Sequence, residues 1–343
     1  MQKFRVGISG SIFGSDGAPC FDPQILQKLM DRPDVDATIL PVEKTEIDAH
    51  DAENFNAIYL MLEKVSFSQI APRTGPFTGR LRLLARHGVG FDSVDIDGMN
   101  NLGIMVTNTP DAVRRPVATM AMTMMLAVTH RIIEKHNLTR AGGWSHNADY
   151  MGTGLTGKVL GVLGAGSIGK EILRLAQPFE MKLAAADPNC SVAELSALGA
   201  EKLSTEELFE KSDVLIIATS LNQDTYHLVD MSKLSRMKRT AALINVARGP
   251  VIKEVDLIEA LQKNYLSCAG LDVFEQEPVD MANPLLKMDN VITTSHSLCW
   301  TDECFDNIAR DAIGSVLSYA DRRTPQYIVN RSVLEHPRQQ SWF

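Results

Sequence analysis

Cysteine is scarce and unpatterned here: five residues in 343, with no CxxC spacing. That excludes a disulfide scaffold, argues against a structural zinc, so that no metal is expected, and fits reduced thiols in a cytoplasmic protein. Positive charge is in deficit as well. Lys and Arg total 34 against 42 Asp and Glu, a formal net charge of −8, whereas a nucleic-acid-binding surface wants the opposite sign. Long apolar runs are missing. The longest, 118–128, contains Thr119 and Thr123 and is too short to span a bilayer, so no membrane partner is expected. Residues 1–10 lack the apolar core of a signal peptide, and no repeat or low-complexity tract is visible. What remains is a chain that is 45% hydrophobic and long enough for two domains, each with its own core.

Against that background one motif stands out, Gly164-Ala165-Gly166-Ser167-Ile168-Gly169. An apolar strand over 158–163 leads in, a helical stretch leaves, and a second apolar strand ends on Asp187, 18 residues after Gly169. Each residue type has a job in binding a dinucleotide. Gly164 permits the tight turn, Gly166 lets the backbone approach a pyrophosphate, and Gly169 lets helix pack closely on strand. The phosphates would sit on the N–H groups of Ser167 and Ile168, at the positive end of the new helix. Asp187 would accept from the adenosine ribose and repel a 2′-phosphate, and no Arg or Lys follows it in Pro188-Asn189-Cys190. NAD is therefore expected rather than NADP.

The rest of the chain fits an α/β protein. After the glycine motif, strands are expected over 159–163, 183–186, 214–218, 242–246, 267–271 and 291–294, with helices between them and a capping box of Ser204 with Glu207. Continuous rather than alternating hydrophobicity implies that both strand faces are covered, as in a doubly wound Rossmann domain. Before it, a shorter series has strands over 4–8, 57–62, 81–85 and 105–107. Thr109-Pro110 breaks the pattern, and one long helix runs from 117 to about 137. Its methionines, Met120, Met122, Met124 and Met125, read either as core filling or as part of a subunit interface. A last helix, 302–320, returns to the first domain. The NAD-binding domain (111–297) is thus inserted into a smaller substrate-binding domain (1–110 and 298–343) of flavodoxin-like α/β architecture.

Three segments follow the last strands, at the rim where open α/β sheets bind ligands. They carry Arg248, Glu277 and His296. His296 can exchange a proton with a substrate hydroxyl while hydride moves to or from nicotinamide. Glu277 can fix its tautomer, and Arg248 can fork onto a carboxylate and a carbonyl oxygen. Singly, each residue is an ordinary surface or structural side chain; the three at adjacent strand ends are not.

With these blocks in order, the whole chain resembles the D-isomer-specific 2-hydroxyacid dehydrogenases. The resemblance rests on 163–169, on Asn245-Val246-Ala247-Arg248-Gly249-Pro250, on 271–278 (Leu-Asp-Val-Phe-Glu-Gln-Glu-Pro) and on His296. Arg86-His87-Gly88-Val89-Gly90-Phe91-Asp92 and 106–110 add to it. It implies catalytic roles for Arg248, Glu277 and His296, and substrate-carboxylate binding by the N–H groups of Val89 and Gly90. It also implies cofactor contacts by Asp187, Thr225 and Asp272, the last with the nicotinamide amide, and a homodimer built on the long helix. The substrate would be a small 2-hydroxy or 2-oxo acid. This chain departs from the family pattern at Thr119, at Thr219-Ser220-Leu221, and at Trp300, which either walls the substrate pocket or packs the C-terminal helix. Two rival functions stay open: an NAD(H)-sensing module of the same fold, and a dehydrogenase of another small anion such as phosphite.

Overall fold

The computed structural model describes residues 3–343, which form two compact units. One joins the N-terminal segment ending at Val113 to Trp300–Phe343; the other is Arg114–Cys299.

The first unit holds β1 (Phe4–Ile8), β2 (Val35–Ile39), β3 (Ala57–Leu60), β4 (Leu83–Arg86) and β5 (Met105–Thr107). All pair in parallel, in the order β2-β1-β3-β4-β5. This is the flavodoxin order, with its switch point between β1 and β3. Every residue of β3 is buried, because the sheet is covered on both faces. The helix Asp302–Ala320 supplies part of that cover, packing on β3 and β4.

The second unit holds β6 (Val159–Leu163), β7 (Lys182–Ala186), β8 (Ala200–Lys202), β9 (Val214–Ile217), β10 (Ala242–Asn245), β11 (Cys268–Leu271) and β12 (Val291–Thr293). These also pair in parallel, in the order β12-β11-β10-β9-β6-β7-β8. The chain order reverses beside β6, which opens a crevice at the carboxyl ends of the strands, where the glycine turn sits. Leu215, Ile216, Ile217, Leu243 and Ile244 are fully buried in the central strands. Each such side chain contributes about 1.5–3 kcal/mol relative to exposure. Ser204 and Glu207 form the expected capping box at the start of the helix Thr205–Lys211.

The structure corrects the sequence expectation in two places. There are seven strands rather than six in this sheet, and β2 is additional in the other. The helix expected over 117–137 is two helices, Pro110–Thr129 and Ile132–Arg140, bent by 56°. Pro110 opens the first, a position where its missing N–H costs nothing, so Thr109-Pro110 is a helix start. The break falls at Arg131, whose φ of 54° is left-handed. Of the two readings of the methionines, core filling is the one that fits: Met120, Met122, Met124 and Met125 are buried within the chain, and Met124 lies so close to β11 that a Cβ on Gly270 would come within 2.3 Å of its Cγ. No single helix among the described residues is long and apolar enough to cross a membrane.

Candidate active site

The glycine turn is built as its composition requires. Gly164 has φ of 93°, and a Cβ there would lie 2.6 Å from the Cα of Thr219. A Cβ on Gly169 would meet the Gly164 carbonyl oxygen at 2.0 Å, so the helix Ser167–Ala176 packs hard on the turn. Gly166 is the opposite case: nothing lies within 4 Å of its missing side chain. No side chain caps this helix, which leaves the N–H groups at Ser167 and Ile168 for an anion. Asp187, just beyond β7, accepts from Ala165 N at 2.7 Å through Oδ2 and from Asn189 N at 2.7 Å through Oδ1. It ties β7 to the glycine turn, and a carboxylate with about four acceptor sites retains capacity for ribose hydroxyls. Thr225 lies in the loop after β9, where its hydroxyl donates to Ser220 O at 2.6 Å and accepts from Asn222 N at 2.8 Å. An open cradle and an uncapped helix start fit a dinucleotide.

Three strand-end loops converge beyond β10, β11 and β12. Asn245, at the end of β10, shapes the first: its Oδ1 accepts from Ala247 N and its Nδ2 donates to Arg248 O, both at 3.0 Å. The Arg248 guanidinium donates to Ala247 O at 2.7 Å. Next comes Gly249, where a Cβ would lie 1.8 Å from the Phe274 carbonyl carbon. The backbones of the first two loops are therefore in direct contact.

Asp272, after β11, is buried. Its Oδ1 accepts from Thr294 Oγ1 at 2.6 Å and from the N–H groups of Ser297 and Leu298, both at 3.1 Å, while its carbonyl accepts from His296 N at 2.7 Å. Its Oδ2 is buried with no hydrogen-bond partner. Such an orphan costs free energy unless something outside the chain satisfies it, and the nicotinamide amide is a group of the right chemistry.

Glu277 Oε1 accepts from Phe274 N at 3.0 Å, and Oε2 meets His296 Nδ1 at 2.8 Å. Ionised carboxylates only accept, so Nδ1 carries the proton. Nε2, which bonds to no other described residue, is the nitrogen left to act. The Glu277 hydrogen bond raises the His296 pKa above its ordinary value, against opposing burial and the Arg248 charge. Burial pushes Glu277 upward, but the His296 bond and charge, with help from Phe274 N and Arg248, hold it below the usual carboxylate range. His296 has φ of 54°, a left-handed conformation rare outside glycine and common at functional sites.

The remaining predicted residues belong to the other unit. Val89 O accepts from Asn108 Nδ2 and Gly90 O from Arg86 Nε, both at 2.9 Å, while neither residue donates its N–H to another described residue. The Trp300 ring is half-exposed and meets Phe305 edge-on at 5.0 Å, so its visible contact is with the start of the last long helix. Two further residues carried no sequence signal. They are His227 and Glu275, whose side chains hydrogen-bond through Nε2 and Oε1 across 48 positions of chain.

Residues 122–297 match the model of the D-isomer specific 2-hydroxyacid dehydrogenase, NAD binding domain. A glyoxylate reductase of Korarchaeum cryptofilum is 33% identical over 259 residues, covering 75% of this chain and 78% of that protein. Another, from Aeropyrum pernix, is 34% identical over 262 residues, with 75% and 78% covered. Among solved structures, a glyoxylate reductase from Paecilomyes thermophila aligns with a TM-score of 0.80 at 25% identity, over 96% of this chain and 99% of that one.

Proposed function

The chain belongs to the D-isomer-specific 2-hydroxyacid dehydrogenases, NAD-dependent enzymes, and carries their NAD-binding domain; on that premise we propose that it interconverts a small 2-oxo acid and its D-2-hydroxy acid through His296, Glu277 and Arg248. One observation carries this reading: the Nδ1 of His296 is held by Glu277 at 2.8 Å while Nε2 is left uncommitted, on the rim that also presents Arg248 and the unpaired oxygen of Asp272.

When bound, NAD accepts the hydride and its reduced form donates it. In the reductive direction His296 gives its Nε2 proton to the carbonyl oxygen as the carbonyl carbon gains hydride. The imidazolium becomes neutral imidazole and a hydroxy acid results. In reverse, Nε2 takes the hydroxyl proton. Glu277 stays ionised throughout, orienting the ring and stabilising its charged form. Arg248 forks onto the substrate carboxylate and carbonyl oxygen, where negative charge develops. With NAD bound, Asp272 Oδ2 would accept from the nicotinamide amide and Asp187 from ribose, the N–H groups at Gly166, Ser167 and Ile168 would hold the pyrophosphate, and Thr225 would be a further cofactor contact. Within the other unit, Val89 and Gly90 offer two free N–H donors of the kind a carboxylate takes, and Trp300 offers an apolar face.

The relatives named glyoxylate reductase favour a two- or three-carbon 2-oxo acid as substrate. A panel of glyoxylate, hydroxypyruvate, pyruvate and longer 2-oxo acids, followed by NADH absorbance, tests this. Turnover with the small members is expected. Tight NADH binding with no turnover across the panel would replace the enzyme by a dinucleotide sensor. A homodimer is also proposed: Ile132, Ile133, Trp144 and Met151 leave apolar surface exposed around the second of the two bent helices. A monomeric mass by light scattering would remove it.

A further inference from the structure

We propose that His227, through Glu275, is a positioning residue that clamps the three loops after β9, β10 and β11, and so sets Glu277 against His296. This deepens the reading above and rests on it.

His227 touches every one of those loops. It lies in the loop after β9. Its backbone N–H donates to Pro250 O at 2.8 Å, in the segment that follows Arg248. Two residues on, the zipper continues, with Val229 N donating to Val251 O at 3.0 Å and Lys253 N to Val229 O at 2.9 Å. The His227 ring reaches sideways to Glu275, two residues before Glu277. Glu275 is fixed from its other side too, because its N–H donates to Glu254 Oε2 at 3.0 Å, and Asn283 Nδ2 holds Glu254 Oε1 at 2.7 Å. Since Gly249 abuts the Phe274 backbone, a movement of the 272–278 loop cannot occur without disturbing the Arg248 turn.

The backbone of His227 carries the second observation. Its φ is 52°, a left-handed conformation that costs a non-glycine residue free energy and persists only where the surroundings impose it. A surface ion pair would not need it. The Tyr226 ring stacks on the imidazole at 4.0 Å, fixing its plane. Side-chain exposures of 28% and 29% place the pair at the rim rather than in open solvent.

The test is a double-mutant cycle on the holoenzyme with glyoxylate and NADH, or with whichever 2-oxo acid the panel selects. His227→Ala is expected to lower kcat about ten- to a hundredfold, the scale of a small misplacement of catalytic groups. KM and NADH affinity should stay within about threefold, and His227→Gln, which restores a donor at the tip, should recover most of the loss. In a Glu277→Ala background the same His227→Ala change should cost less than about twofold, since the group it positions is gone. Proton NMR of the cofactor-free protein gives an independent readout. His296, facing Glu277, Arg248 and Asp272, should titrate at lower pH in His227→Ala than in the parent. If the alanine variant does not fold, His227→Phe keeps the volume and the stack on Tyr226 while removing the bond.

Equal losses in both backgrounds, or an unmoved His296 titration, overturn the clamp. Should His296→Ala abolish turnover while His227→Ala leaves it intact, the clamp alone is wrong; should His296→Ala retain turnover, the reading beneath it is wrong.

Discussion

Two histidines in the second unit have left-handed backbones, and each meets a glutamate of the same short loop, yet they present opposite nitrogens. His296 gives Nδ1 to Glu277 and keeps the tip nitrogen, Nε2, uncommitted. His227 gives its tip nitrogen to Glu275, leaving only the nitrogen nearest its own backbone. The first pair can pass a proton outward; the second is closed on itself. Arg248 and Asp272 act electrostatically on His296, whereas Tyr226 stacks against His227. The same two residue types, one loop and nearly the same φ thus make a reactive group in one place and a fastening in the other, and ring orientation decides which.

The sharpest way to break this contrast is His296→Ala. Removing a general acid–base group typically costs about a hundred- to ten-thousandfold in turnover. NADH affinity, measured by fluorescence titration, should change little. An equal loss in both quantities would mean that His296 shapes the cofactor site and that both pairs are fastenings.

Gly249→Ala attacks the joint shared by the two loops. A Cβ placed 1.8 Å from the Phe274 carbonyl carbon cannot be absorbed by a side-chain rotation, so the backbones must separate. Overpacking of this kind costs about 1–3 kcal/mol, visible as a lowered Tm, and kcat should fall as well. Gly166→Ala is the control, because its Cβ enters open space: Tm should hold while NADH affinity falls. If Gly249→Ala lowers Tm and spares kcat, the two loops do not need their present spacing.

A change of pH separates the pairs more gently. His296 is held above its ordinary value of 6.5 by Glu277. Reduction requires the imidazolium, so its rate should be flat at low pH and fall as pH rises through that raised value; oxidation should show the reverse. Glu277→Gln removes the charge that holds the proton, and both inflections should move to lower pH. The same pair bears on stability. The His296 contribution is complete below the unfolded-state value and is lost as pH rises through the folded one. The Glu277 contribution is present above its unfolded value and lost as pH falls through the depressed folded one. Inflections that ignore Glu277→Gln would assign the acid–base step elsewhere.

What the sequence disclosed follows from what leaves a local trace. The glycine turn, the Ser204 capping box and the long helix after Trp300 are written in short-range patterns, and all three stand where the residues imply. The edge strands β2 and β8 are not so written. Only one residue in each is buried, and Val35-Asp36-Ala37-Thr38-Ile39 and Ala200-Glu201-Lys202 lack the continuous apolar run of a central strand. The helix break at Arg131 had no glycine or proline to mark it. His227 is the clearest case of an illegible residue: its partner is distant in sequence, and its backbone conformation is imposed by tertiary contacts.

Tyr226→Ala makes the finest cut. The ring is exposed by 57%, and its stack on His227 is worth about 0.5–1.5 kcal/mol. If the bond to Glu275 is what fastens the loops, removing the stack should reduce kcat by no more than about threefold and leave the His296 titration near its parent position, because the Nε2 of His227 keeps its Glu275 acceptor. Suppose instead that Tyr226→Ala matches His227→Ala in both readouts. Aromatic packing would then be holding the loop, Glu275 would be a bystander, and the likeness between the two histidine–glutamate pairs would be one of geometry without shared cause.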